Sequence, residues 1–305
     1  MQLAKSFWSV CWGLVLLCLL ATGCARAAEP MHYIYPPPES GSDVRLNYYW
    51  ELLRAALDET SPKWGAYTIG TSGRVLNPAR AEMQLKKSTE ISIMTRASSA
   101  EREKTLLPIF IPLDKGLSGY RLFLTQAPTQ GKLNSVRGLD DLKRFTIGQG
   151  INWIDTDILR NSGLVVVEGI NYDGLFSMLA AHRFDLFARG LNEIGPEYAL
   201  GKVSNPALSI EKSLLLYYPT PRYYFFSRTP EGERLAKRAE EGLRLMISNG
   251  KFDKHYLEFK RSLFVNLSLT GRRLIRLPNP YLSEATPLQD KTLWDTLENE
   301  LKPAP

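Results

Sequence analysis

Two periodicities take turns along this chain. His32-Tyr33-Ile34-Tyr35 reads as a short strand, ended by Pro36-Pro37-Pro38, because proline lacks the N–H a strand uses and fixes an extended turn. Leu46, Tyr49, Trp50, Leu53, Ala56 and Leu57 then recur at steps of three and four, one face of a helix that Asp43 is placed to cap and that runs through Asp58. Ala66 to Ile69 is extended and stops at Gly70. Pro78 to Lys87 is amphipathic, and Glu90 to Met94 is the next strand. Strand, helix, strand, helix, strand in this order predicts an α/β unit with a parallel sheet.

A second unit repeats the pattern. Leu107 to Pro112 is extended and Tyr120 to Leu124 is a strong strand, broken by Pro128 and Gly131. Leu139 to Leu142 is a short helix and Phe145 to Gly148 a strand. Asp155 to Arg160 is helical and stopped by Gly163, and Leu164 to Val167 is a β-branched strand. Tyr172 to Ala181 is a helix capped by Asn171, Phe184 to Ala188 a strand, and Asn192 opens a further helix. Leu214 to Tyr218 and Tyr223 to Ser227 are extended and apolar, suited to carry the chain back to the first unit. Two helices follow, Glu231 to Ser248 and Phe252 to Phe259, and after Gly271 the chain turns Pro-rich and polar. The expected division is residues 28–126 with 213–270 as lobe 1, 127–212 as lobe 2 inserted into it, and 271–305 as an extension on lobe 1.

The first 27 residues change the compartment. Lys5, an apolar run from Phe7, and Ala25-Arg26-Ala27 have the layout of a secretory signal. The three cysteines, Cys11, Cys18 and Cys24, all lie in it. Cleavage after Ala27 would leave about 278 residues without cysteine or disulfide. Lipid attachment at Cys24, after Ala21-Thr22-Gly23, and retention of the run as an anchor are the alternatives. The formal charge is +6, and removing Lys5 and Arg26 leaves +4, with no stretch dense enough in Lys and Arg to track a phosphate backbone, so nucleic acid is not an expected partner. His32, His182 and His255 stand far apart, outside any metal spacing, and no Gly-x-Ser-x-Gly elbow occurs.

Four stretches carry a family likeness. Ser99-Ala100-Glu101-Arg102 follows the third strand, and Leu107-Pro108-Ile109 leads to Gly119-Tyr120-Arg121. Leu139-Asp140-Asp141-Leu142-Lys143 precedes Thr146-Ile147-Gly148, and Ala181-His182-Arg183-Phe184-Asp185 turns into a strand. In this order, over about residues 30 to 260, the chain resembles the family 3 periplasmic solute-binding proteins of the amino-acid-binding type. The resemblance implies an α/β, two-lobe periplasmic-binding-protein fold with two hinge crossovers and the second lobe inserted in the first. It implies an extracytoplasmic monomer without cofactor, capturing a small carboxylate-bearing solute, an amino acid or organic acid, for an inner-membrane permease of ABC type or a receptor. By position, Arg102 would hold the ligand carboxylate with two parallel hydrogen bonds, with Thr95 nearby. Gly148 to Asn152, Gly150 and Asn152 among them, would supply backbone donors.

Some assignments stay open at this level. Trp153 either stacks on a ligand or packs under the loop, Asp155 reads as a helix cap, and Tyr35, Glu39 and Ser40 end the first strand at the cleft mouth. Where amino-acid binders of the family place a carboxylate for the ligand ammonium, this chain has Gly190, with Arg189 beside it and Glu193 three residues on. If Glu193 does not substitute, the ligand would be an acid without an amine. Two other readings remain: a sensing module acting in trans on a membrane receptor, and a cyclic-acid dehydratase using Arg102 with a protonated Glu193.

Overall fold

The computed structural model describes residues 29–38 and 43–302. The expected signal segment, Cys24, Glu39 and Ser40 lie outside the described residues. Twelve strands follow in chain order: β1 Met31–Tyr35, β2 Tyr67–Thr71, β3 Met94–Ala97, β4 Leu107–Pro108, β5 Tyr120–Gln126, β6 Thr146–Gly150, β7 Val165–Gly169, β8 Leu186–Gly190, β9 Leu208–Ile210, β10 Leu214–Tyr217, β11 Arg222–Phe226 and β12 Arg273–Arg276.

The first lobe is built on β1 and β2, which pair in parallel, and on β11, which pairs antiparallel with β3 and β4. Ser92 and Ile93 donate their N–H groups to the Ile34 carbonyl, so the two pieces join just ahead of β3. The expected strand at Glu90 to Met94 therefore lies later, at Met94–Ala97, where β11 supplies a partner. One face is covered by the helices Asn47–Trp64 and Pro230–Ser248. Tyr49, Leu53, Ala56 and Leu57 of the predicted face are completely buried. The two helices meet at Gly242, where a Cβ would run into the Ala56 backbone carbonyl.

The predicted cap of the first helix is not observed. Leu46 holds the N-cap position, the helix runs past Asp58 to Trp64, and Asp43 instead accepts from the backbone N–H and guanidinium of Arg45. A carboxylate beside a guanidinium gains a charge-assisted pair, which outcompetes one capping bond.

The second sheet has the order β12-β10-β5-β8-β6-β7, with β9 also pairing β5. Apolar cores lie on both of its faces. β5 and β10 were expected with lobe 1, but both are hydrogen-bonded members of this sheet, β5 running antiparallel to β8 and β10. The hinge connections are thus the short stretches before β5 and between β10 and β11. The region after Gly271 also departs from expectation. Instead of lying wholly on lobe 1, it begins as β12, parallel to β10, and buries Ile275 and Leu277 against Leu133, Val136 and Phe145. It then crosses over, accepting from the Ala100 N–H through the Tyr281 carbonyl, and ends with Asp295 bound to Lys260 and Tyr256. Among the described residues no helix is long and apolar enough to cross a membrane.

Candidate functional site

The C-terminal ends of β6 and β8 face the first lobe across a cleft. Gly190 ends β8 and is the N-cap of the helix Leu191–Ser204, whose third residue, Glu193, turns its carboxylate back to accept from the Gly190 N–H at 3.0 Å. That places Glu193 3.1 Å from Arg189 and 3.6 Å from Arg121. Arg189 is itself forked onto Glu197, with both bonds at 2.6 Å, and Tyr172 donates to the same carboxylate at 2.8 Å. Arg121, from β5, pairs with Asp155 at 2.6 Å and donates to Tyr218 at 3.1 Å, while the Tyr218 hydroxyl donates to Asp155.

The fields in this network oppose and then outweigh burial. Desolvation alone would raise the Glu193 carboxyl, but Arg189, Arg121, Arg45 and Arg222 together hold it down to about 2. Burial likewise disfavours charge on Arg189, and Glu193 and Glu197 overcome it. Burial pushes the Tyr218 hydroxyl well up, which keeps it a proton donor to Asp155. The carboxylate that the sequence offered for a ligand ammonium is therefore spent on protein cations and a backbone N–H.

From the first lobe come Thr95 and Arg96 on β3, Arg102 on the short helix Ala100–Thr105, Arg222 on β11 and Arg45 before the first helix. Arg102 is within 3.2 Å of Glu82 through Nε and donates Nη1 to the Ala97 carbonyl at 2.5 Å. The Arg45 guanidinium lies 4.4 Å over the Tyr172 ring, a direct contact between lobes. Arg222 lies 5.1 Å over Tyr49 and donates to the Thr95 carbonyl at 3.3 Å. The Thr95 hydroxyl and the Arg222 Nε are buried without a hydrogen-bond partner among the described residues.

These residues enclose two adjoining cavities of about 90 and 100 Å³ that share Arg45, Arg96, Glu193 and Arg222. The first is also lined by Arg102, Arg121, Arg189, Asp155 and Trp153. The second has an apolar wall that includes Leu46, Trp50, Leu76 and Met94. Outside them Arg102 and Asn152 line a recess of about 420 Å³ between the lobes.

The structure thus gathers Thr95, Arg102, Trp153, Arg189 and Glu193 around one cleft, with Asn152, in left-handed backbone conformation, at its mouth. It does not bring in Tyr35, whose ring stacks 4.1 Å from Trp50; Trp50 is the aromatic wall instead. Gly150 is covered rather than open. The Trp153 ring occupies the place a Cβ would take, and the Gly150 carbonyl accepts from Trp153 and Thr156. Trp153 serves as both packing and wall, with Arg189 5.0 Å over its ring. Asp155 is not the cap of its helix, which begins at Ile154 with Trp153 at the N-cap position; its carboxylate answers Arg121. Sequence reasoning missed Arg45, Arg96, Arg121 and Arg222 as cleft residues. The strand position of Arg121 is legible, and Arg222 stands one residue ahead of the strand read at Tyr223 to Ser227, but that both strands pass beside the cleft is not. Among the described residues, no group of three or more His, Cys, Asp and Glu side chains is arranged to hold a metal ion.

The two-lobe arrangement, with hinge connections before β5 and between β10 and β11 and a cleft at the strand ends, is the periplasmic-binding-protein fold. Solved structures of the amino-acid-binding type share it. A Salmonella typhimurium periplasmic binding protein described for its high arginine specificity superposes with a TM-score of 0.53 at 13% identity, over 76% of this chain and 99% of that one. A histidine kinase sensor domain similar to periplasmic binding proteins gives 0.51 at 15% identity, over 76% and 96%. An ancestral amino-acid-binding protein described as a precursor of cyclohexadienyl dehydratase gives 0.50 at 12%, over 75% and 95%. No protein-family profile and no curated protein sequence matches this chain.

Proposed function

We propose that this chain is an extracytoplasmic solute-binding protein that captures a small carboxylate-bearing solute between its lobes and presents it to an ABC-type inner-membrane permease. One observation carries this reading. Six arginines, from both lobes, line a single cavity that only two carboxylates, Asp155 and Glu193, enter from the described residues. Guanidiniums pair with carboxylates in planar, two-bond geometry, and a bond to a charged group contributes about 1.5–3 kcal/mol. Arg102 and Arg222 are the first-lobe anchors, and Arg121 and Arg189 close from the second lobe. With Glu193 committed to protein partners, an acid without an amine suits the cleft better than an α-amino acid. The spent carboxylate also weighs against turnover: a dehydratase acid must hold its proton near neutral pH, and Glu193 is held ionised. The similarity to a histidine kinase sensor domain supports a second destination for the same binding event, a membrane receptor.

The test is a thermal-shift panel of amino acids, monocarboxylates, dicarboxylates and polyamines on the purified protein, with Arg102→Ala and Arg222→Met beside it. A ligand at 100 times its Kd adds about 2.7 kcal/mol of stability. Stabilisation by acids, weakened in both variants, is the expected result; stabilisation by polyamines, or by nothing, overturns the reading.

A further inference from the structure

The second of the two cavities is divided by chemistry. One wall is apolar, made by Leu46, Trp50, Leu76, Pro78, Ala81 and Met94, while Thr95 and Arg222 line the same space together with Arg45, Arg96, Asp43 and Glu193. The register of the first sheet explains why these two come together. β3 and β11 run antiparallel with Thr95 opposite Tyr224 and Ala97 opposite Arg222, so Thr95 and Arg222 are diagonal neighbours on one face. That face is turned toward the Asn47–Trp64 helix, since the Arg222 guanidinium lies over Tyr49 and the Tyr224 hydroxyl donates to the Tyr49 carbonyl.

Two polar atoms here are unaccounted for. Thr95 is 2% exposed and its hydroxyl has no partner among the described residues, and the Arg222 Nε–H is buried and equally unpaired among them. A buried hydroxyl or guanidinium N–H without a partner costs about 1–3 kcal/mol, so native proteins seldom keep one that nothing ever satisfies. A hydroxyl and a guanidinium N–H on adjacent strands are both donors, and together they suit the oxygens of one carboxylate.

Resting on the carboxylate-binding reading above, we propose the ligand class: a monocarboxylic acid with an apolar body and no α-amine. Its carboxylate accepts from the Thr95 hydroxyl and the Arg222 Nε, and its body lies along Trp50, Leu76 and Met94. A second carboxylate lying along Trp50, Leu76 and Met94 would meet only apolar side chains there. An α-ammonium would meet acids already engaged, since Glu193 serves Gly190, Arg189 and Arg121 and Asp43 is paired with Arg45.

Isothermal titration calorimetry on the purified protein tests this with pairs that differ only in the amine: 4-methylpentanoate against leucine, and 3-phenylpropionate against phenylalanine, with glutarate as the polar acid. At least one member of the first kind should bind, its amino counterpart at least tenfold more weakly, and glutarate more weakly still. Thr95→Val removes one donor at nearly constant volume and should weaken the acid about tenfold, the equivalent of one hydrogen bond. Because the hydroxyl has no partner among the described residues, the same variant should melt at or above the wild-type temperature, which separates lost binding from lost folding. Trp50→Phe should weaken 3-phenylpropionate without abolishing it. Tighter binding of glutarate or of the amino acids, or full affinity in Thr95→Val, overturns the ligand class and leaves carboxylate binding standing. Binding of none of the five overturns both.

Discussion

Replacing Glu193 by glutamine removes one negative charge from the centre of the cleft network while nearly preserving shape. The size of the effect follows from the electrostatics. A glutamate free in the unfolded chain titrates near 4.5, and Glu193 is held at about 2 in the fold, because its arginine neighbours outweigh the penalty of its burial. A carboxyl depressed on folding stabilises the native state above its unfolded value, and that stabilisation fades as pH falls from 4.5 toward 2. The difference amounts to on the order of 3 kcal/mol at neutral pH. This agrees with the roughly 3–5 kcal/mol typical of removing one partner from a buried ion pair. Urea denaturation of wild type and Glu193→Gln at pH 7, 5, 4 and 3 measures it. The gap between the two curves should be largest at pH 7, begin to close below pH 5 and shrink to less than half by pH 3. A gap of constant size across that range would refute the reasoning, since it would assign the loss to packing and not to charge.

Two further outcomes follow from the C-terminal segment. Gly116 has φ +74 and its missing Cβ points into the Trp294 ring, so Gly116→Ala should destabilise by about 1–2 kcal/mol from the left-handed backbone alone and more from the displaced ring. Combining it with Trp294→Ala in a double-mutant cycle should recover the ring contribution as a coupling of at least about 0.5 kcal/mol; strict additivity would deny the contact. Deleting residues 271–305 uncovers the β10 edge and strips Ile275 and Leu277 from the second core. Each such side chain contributes about 1.5–3 kcal/mol, so the denaturation midpoint should fall markedly, and an unchanged midpoint would count against β12 as part of the sheet.

Much of the fold was legible because burial imposes a period. The face Tyr49, Leu53, Ala56 and Leu57 could be read from spacing alone, as could Asn171, whose side chain caps its helix by accepting from Gly174 at 2.7 Å. Arg102, Trp153, Arg189 and Glu193 were placed in the cleft by their order along a known pattern. Aspartates were misread. Asp43 and Asp155 stand where caps belong, yet each answers an arginine, one two residues away and the other 34 residues earlier on β5. Local sequence shows what an aspartate can do next to its own helix and not which distant cation will reach it. The polar, Pro-rich region after Gly271 reads as surface because Leu274, Ile275 and Leu277 are too short an apolar run to compete with that composition.

The sequence by itself determined the order of the elements, the two α/β units and the absence of a carboxylate at Gly190, since these depend on residue type and on spacing within one element. Tertiary structure alone decided what the cleft is. Thr95 and Arg222 are 127 positions apart and become neighbours only because β3 and β11 pair, and Glu193 became unavailable only because β8 and β5 set Arg189 and Arg121 beside it. Charge acts across a few ångströms of low-dielectric interior whatever the separation in sequence, so the chemistry of this site belongs to strand register and not to motif.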